Sequence, residues 1–154
     1  MGLAKLKTKL RLEDLLQGEL SSGIRHEYIY GEVYPMAGAS VTHNRIINNI
    51  GFKIDNHLAN SQCETFTENV KLKADAQTFY YPDIFVACDQ QPVSEYYREE
   101  PILIVEVLSP STERTDRNEK FAVYGKIPTL QEYVIVWQDK LTSSSTAGKP
   151  TIPG

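Results

Sequence analysis

Two runs of β-branched and aromatic residues each carry one carboxylate where a carboxylate is expensive. The first is Tyr80-Tyr81-Pro82-Asp83-Ile84-Phe85-Val86-Ala87, and the second is Ile102-Leu103-Ile104-Val105-Glu106-Val107-Leu108-Ser109. Runs of this composition read as strands. A charged group belongs inside a sheet only when it is paired or holds a metal. Asp83 and Glu106 are 23 positions apart, with one polar loop, residues 89–100, between their strands. If the strands pair, opposing side chains come within about 5 Å, close enough to share one cation. The pattern predicts two acids side by side on adjacent strands around a divalent ion. A single strand acid is more simply read as a strand end facing water; two acids in runs this apolar favour a site.

The rest of the chain supplies a scaffold for these strands. Leu12, Leu15 and Leu16 space a short amphipathic helix over residues 10–20. Residues 24–36 read as two strands turned at Gly31. Ile46, Ile50, Ile54 and Leu58 recur every four residues with Ile47 beside them, which predicts a helix with one buried face, capped by Ser40 or Thr42. Gly51 inside it costs about 1 kcal/mol of propensity. Residues 63–73 alternate as one strand, with Phe66, Val70 and Leu72 on one face and Glu68 among them, the wrong side for a solvated charge. After the strands at 80–88 and 102–108, Pro110 ends the second, and Thr112 or Thr115 opens a helix to about Gly125 with Phe121, Val123 and Tyr124 inward. Residues 132–138 form a last strand. The order predicts an α/β fold, a mixed β-sheet core flanked by helices with a helical crossover to the last strand. The domain is expected over 1–139. Residues 140–154, dominated by Ser, Thr, Gly and Pro, are expected to be a low-complexity C-terminal tail.

Other side chains can serve the acid pair. Lys120 follows Asp116 by four positions, so the two share a helix face. On spacing alone that is a surface ion pair of small value. The functional alternative brings the helix back over the sheet and points Lys120 at the site, to orient a water and stabilise developing charge. Glu68 is a third metal-ligand candidate, because its strand should neighbour that of Asp83. His43, at the first turn of the long helix, is a packed helix-end residue or an auxiliary near substrate. Asp116 and Glu27 are further auxiliary candidates.

Composition narrows the classes. With 41% hydrophobic and 23% charged residues, the chain is an ordinary globular domain and not a disordered or fibrous one. No apolar run approaches the roughly 20 residues of a membrane span. A net charge of −4 gives no bulk attraction to nucleic acid, so any such contact needs a local patch from Lys5, Lys7, Lys9, Arg11, Lys71, Lys73, Arg114, Arg117, Lys120 or Lys126. Cys63 and Cys88 are too few and too far apart for a disulfide framework or a zinc site. Buried reduced thiols, and hence a cytoplasmic location, are expected.

Taken in order, the blocks Pro82-Asp83, Glu106-Val107-Leu108-Ser109-Pro110-Ser111-Thr112, Asp116 and Lys120 resemble the Uma2 family of restriction endonuclease-like proteins, within the PD-(D/E)xK nuclease superfamily. Tyr30-Gly31-Glu32-Val33, Met36-Ala37-Gly38-Ala39-Ser40 with His43, and Glu132-Tyr133 look like further family blocks, so the resemblance covers about residues 12–139. It implies a restriction endonuclease-like core and magnesium-dependent (or manganese-dependent) hydrolysis of DNA phosphodiester bonds, with Asp83 and Glu106 as metal ligands. The superfamily pattern places lysine two positions after the second acid. Leu108 stands there, and Lys120 on the following helix is the family's counterpart.

The expected function is therefore a Mg²⁺- or Mn²⁺-dependent endonuclease acting on DNA, with Asp83, Glu106 and Lys120 catalytic and Asp83, Glu106 and Glu68 holding the metal. A homodimer suits the cutting of two antiparallel strands. The alternative is a non-catalytic module that keeps the fold and binds DNA or protein, favoured by Leu108 and the acidic charge. A carboxylate-pair glycosidase fits poorly, because few aromatic platforms flank the acids and a lysine has no place in that chemistry.

Overall fold

The computed structural model of the chain describes residues 9–36, 38–109, 116–139 and 143–147, with backbone alone at 116, 117 and 143–147. The strands form two five-stranded sheets rather than the single sheet expected. The first holds β1 (His26–Ile29), β2 (Glu32–Pro35), β4 (Lys71–Asp75), β5 (Thr78–Tyr80) and β7 (Tyr97–Arg98), in the order β2-β1-β5-β4-β7. The second holds β3 (Glu64–Thr67), β6 (Ile84–Ala87), β8 (Pro101–Leu108), β9 (Glu132–Trp137) and β10 (Ser143–Ala147), in the order β10-β9-β8-β6-β3. The pairs β4–β7 and β8–β9 are parallel and the rest antiparallel, so the mixed character holds. The β8–β9 crossover carries a π-helical turn (Asp116–Lys120) that runs into helix α3 (Phe121–Tyr124).

Two breaks turn one expected sheet into two. The alternating stretch 63–73 is interrupted at Glu68, whose φ of 45° lies in the left-handed region, so β3 and β4 part into different sheets. The stretch 80–88 is interrupted at Tyr81-Pro82-Asp83, where Pro82 has no N–H to give a ladder. The breaks lie against each other, because the Glu68 amide donates to the Asp83 carbonyl at 3.1 Å. Asp83 therefore precedes β6 instead of sitting mid-strand, whereas Glu106 does lie inside β8.

Helices close the layers. α1 (Leu12–Glu19) buries Leu15 against Tyr28 and Phe79 of the first sheet. α2 (Val41–His57) starts at Ser40, whose Oγ accepts from the His43 amide at 3.1 Å. It covers one face of the second sheet, where Ile47 packs with Ile84, Val105 and Val107. Its buried line centres on Ile47 and Gly51, slightly rotated from the Ile46–Ile50–Ile54 stripe. A Cβ at Gly51 would lie 3.2 Å from Thr67 Cγ2, so this glycine lets α2 approach β3 closely. The largest core fills the other face of the second sheet: Ile104 and Leu108 with Tyr124, Tyr133, Phe121 and, from the first sheet, Leu72 and Tyr80. No helix among the described residues is long and apolar enough to cross a membrane.

Two expectations are corrected. Cys63 and Cys88 are disulfide-bonded and not reduced thiols. β3 and β6 pair with Glu64 opposite Ala87, and one step further along that register brings the cysteine Cα atoms to 4.0 Å. Their separation of 25 residues misled because a sheet makes sequence-distant residues neighbours. The stretch expected to be a structureless tail contributes β10, paired with β9 from Ser143 opposite Val136 to Ala147 opposite Glu132. Backbone hydrogen bonding along an open sheet edge needs no hydrophobic periodicity. Residues 140–142 and 148–154 lie outside the described ones.

Candidate active site

The seam between the two sheets collects the chemistry. At Asp83 the β6 ladder stops, and its carboxylate replaces the missing carbonyl: Asp83 Oδ2 accepts from the Val107 amide at 2.7 Å. His43, on the first turn of α2, donates from Nε2 to the Val107 carbonyl at 2.9 Å and lies 3.4 Å from Asp83 Oδ2. Glu68, at the other break, accepts from Asn44 Nδ2 at 3.3 Å through Oε2. Ligand atoms of His43, Glu68 and Asp83 all lie within 4.8 Å of one another.

These three side chains could hold a cation. Two carboxylates supply hard oxygen donors and the imidazole one nitrogen, a set suited to a small divalent ion. With Nε2 engaged, His43 Nδ1 is buried and has no hydrogen-bond partner among the described residues. The hydrogen bond to Asp83 raises the His43 pKa above its ordinary value; burial opposes this, and the Val107 carbonyl and Glu68 add to it.

Glu106 is buried (2% exposed) and faces the opposite way, with Ile104 and Leu108 toward Tyr124 rather than with Val105 and Val107 toward α2. Its Oε1 accepts from the Tyr124 hydroxyl at 2.9 Å and lies 3.9 Å from Lys120 Nζ. Lys120, itself buried, lies nearer Glu27 Oε1, at 3.2 Å, and its ammonium sits 5.3 Å from the centre of the Tyr80 ring. Burial, reinforced by Glu27, pushes the Tyr80 phenol well above its ordinary pKa, so the ring stays neutral beneath the ammonium. The two halves meet where the Asp83 amide donates to Glu106 Oε2 at 3.4 Å.

The predicted residues thus converge on one seam in two groups. Asp83, Glu68 and His43 form the first; Glu106, Lys120 and Glu27 form the second. His43 and Glu27, read as auxiliaries, make direct contacts in these groups, and Glu106 is not one of the three converging donors. The side chain of Asp116 lies outside the described residues. Asn44 and Tyr124 were not picked out as site residues. Tyr124 was visible only as an inward aromatic, and nothing in its spacing announced that its hydroxyl meets Glu106.

The comparisons agree with this architecture. Residues 12–144 match the model of the Uma2 family, described as "Putative restriction endonuclease". Two proteins of Synechocystis sp. (strain ATCC 27184 / PCC 6803 / Kazusa), "Uncharacterized protein slr1290" and "Uncharacterized protein sll1609", are similar to it. The first is 38% identical over 130 residues, 83% of this chain and 68% of its own. The second is 35% identical over 133 residues, 84% of this chain and 75% of its own. A crystal structure described as "a putative nuclease belonging to DUF820", from Anabaena variabilis ATCC 29413, superposes with a TM-score of 0.72 at 19% identity, covering 91% of this chain and 80% of that one. That match shows that the two chains share a fold. With the family model spanning most of its length, the chain belongs to the Uma2 family.

Proposed function

We propose that the protein is a divalent-metal-dependent endonuclease that hydrolyses DNA phosphodiester bonds. The observation that carries this reading is the convergence of the His43, Glu68 and Asp83 donors beside a buried acid and lysine. Asp83 and Glu68, with His43, would hold Mg²⁺ or Mn²⁺. A cation there supplies Lewis-acid polarisation of the scissile phosphate. Glu106 fixes the Asp83 backbone through its amide and holds Lys120 by charge. Lys120 contributes positive potential toward the developing negative charge, in a site dry enough for that potential to matter. A twofold pair of chains would present two such sites to antiparallel strands.

The test is nicking and linearisation of supercoiled plasmid with Mg²⁺ or Mn²⁺. Asp83→Ala and Glu106→Gln are expected to lower the rate by at least about 100-fold, the scale of losing preorganised electrostatics. Equal rates in wild type and both variants would rule the site out. A second reading, a non-catalytic DNA-binding module, gains support from the structure in that Lys120 is closer to Glu27 than to Glu106. Retarded migration of DNA without cleavage at any metal concentration would select it.

A further inference from the structure

Glu68 has an uncommon backbone. Among the described residues only Tyr30 and Glu68 combine a side chain with positive φ, at 48° and 45°. Tyr30 belongs to the tight β1–β2 hairpin with Gly31, where such geometry is required. Glu68 instead joins strands of different sheets, and the left-handed region is disfavoured for a long side chain next to an asparagine that would adopt it more readily. Such a conformation persists only where its surroundings over-determine it. The Glu68 amide, carbonyl and one carboxylate oxygen are each held. Its amide donates to the Asp83 carbonyl at 3.1 Å. Its carboxylate accepts from Asn44 at 3.3 Å. Its carbonyl accepts from Arg25 Nη1, which reaches across from just before β1.

Arg25 is itself fixed. Its guanidinium lies 5.5 Å from the centre of the Tyr81 ring, and its own carbonyl accepts from the Met36 amide at 2.8 Å, tying it to the hairpin. Tyr81 is anchored in turn, because its hydroxyl donates to Glu19 Oε2 at 2.6 Å. A chain of contacts therefore runs from α1 through Tyr81 and Arg25 to the Glu68 carbonyl, which is one residue's length from the donor cluster.

We infer that Arg25 is a positioning residue of this site: its bond to the Glu68 carbonyl locks the left-handed turn that aims the Glu68 carboxylate at His43 and Asp83. The inference rests on the proposed metal-binding reading. Supporting groups of this kind commonly set metal affinity by 10- to 100-fold without touching the ion.

The experiment is titration of the full chain with Mn²⁺ alone, followed by the electron paramagnetic resonance of free ion, alongside thermal melts with and without Mn²⁺. Arg25→Gln is expected to weaken Mn²⁺ binding by about 10-fold or more while the protein stays folded, and to shrink the metal-induced rise in melting temperature. Glu68→Gly should lose the affinity too, yet melt without metal no lower than wild type, because glycine accepts the left-handed turn without strain. A merely structural Arg25 would lower the metal-free melting temperature and leave Mn²⁺ affinity unchanged. Unchanged affinity in folded Arg25→Gln, with affinity lost in Asp83→Ala, overturns the inference alone. Unchanged affinity in both Asp83→Ala and Glu68→Gly overturns the metal reading itself. If Arg25→Gln does not fold, Arg25→Lys replaces it, with a several-fold weakening supporting the inference and unchanged affinity overturning it.

Discussion

Single side chains at the seam carry most of the testable energy. The Tyr124 hydroxyl reaches a Glu106 that is almost wholly buried, so its loss falls on an ionisable group without full access to water. Tyr124→Phe is expected to cost about 1.5–3 kcal/mol, the range for hydrogen bonds to charged groups, read from urea unfolding midpoints. Glu19 shows the opposite face of the same physics. Burial raises its pKa, but hydrogen bonds from Tyr81 and His26 outweigh that, and the net displacement is below the ordinary 4.5. A carboxylate depressed in the folded state stabilises fully above its unfolded pKa, and that stability disappears as pH falls through the lower folded value. Glu19→Gln should therefore be less stable than wild type at pH 7, with the gap closing as pH drops below 4.5. A gap that stays constant from pH 7 to pH 3 would refute the assignment.

At the level of elements, β3 and β6 deliver Glu68 and Asp83 to neighbouring positions, and the Cys63–Cys88 bond fastens the far ends of the same two strands. Each cysteine lies five residues from its acid, Cys63 before Glu68 and Cys88 after Asp83. The double variant Cys63→Ser/Cys88→Ser is expected to lose about 2–4 kcal/mol of stability relative to the oxidised protein, measured by denaturant unfolding, and to become insensitive to reductant. Much of the local order was legible from residue order. The β1–β2 hairpin turns at Gly31, Ser40 caps α2, and Pro101–Leu108 is the central strand read from its apolar run. The strand breaks at Glu68 and Pro82 were missed because alternation continues across the first and the apolar run resumes directly after the second. Periodicity reports which face a side chain takes, not whether the backbone changes sheets.

Across the whole molecule, Lys120 bridges the two sheets: Glu27 belongs to β1 in the first and Glu106 to β8 in the second. Removing one partner of a buried ion pair is worth about 3–5 kcal/mol. Lys120→Met is expected to destabilise on that scale, and Glu27→Gln in the same chain should recover part of the loss. Strict additivity of the two changes would show that the bridge carries no coupling. The same geometry explains why Glu27 and His43 looked minor in the sequence. Each is one ordinary residue on its own element, and each matters through a group more than 35 positions away.

What the residue order determined by itself was local: which stretches are apolar enough to be strands, where helices begin, and that Asp83 and Glu106 are too costly to bury without a partner. Those follow from side-chain hydration and backbone sterics, which act over a few residues. Only the tertiary structure decided that Asp83 turns toward His43 and Glu68 while Glu106 turns toward Tyr124 and Lys120, and that two distant cysteines meet. Sheet pairing and layer packing bring together residues whose separation along the chain carries no information about their distance in space.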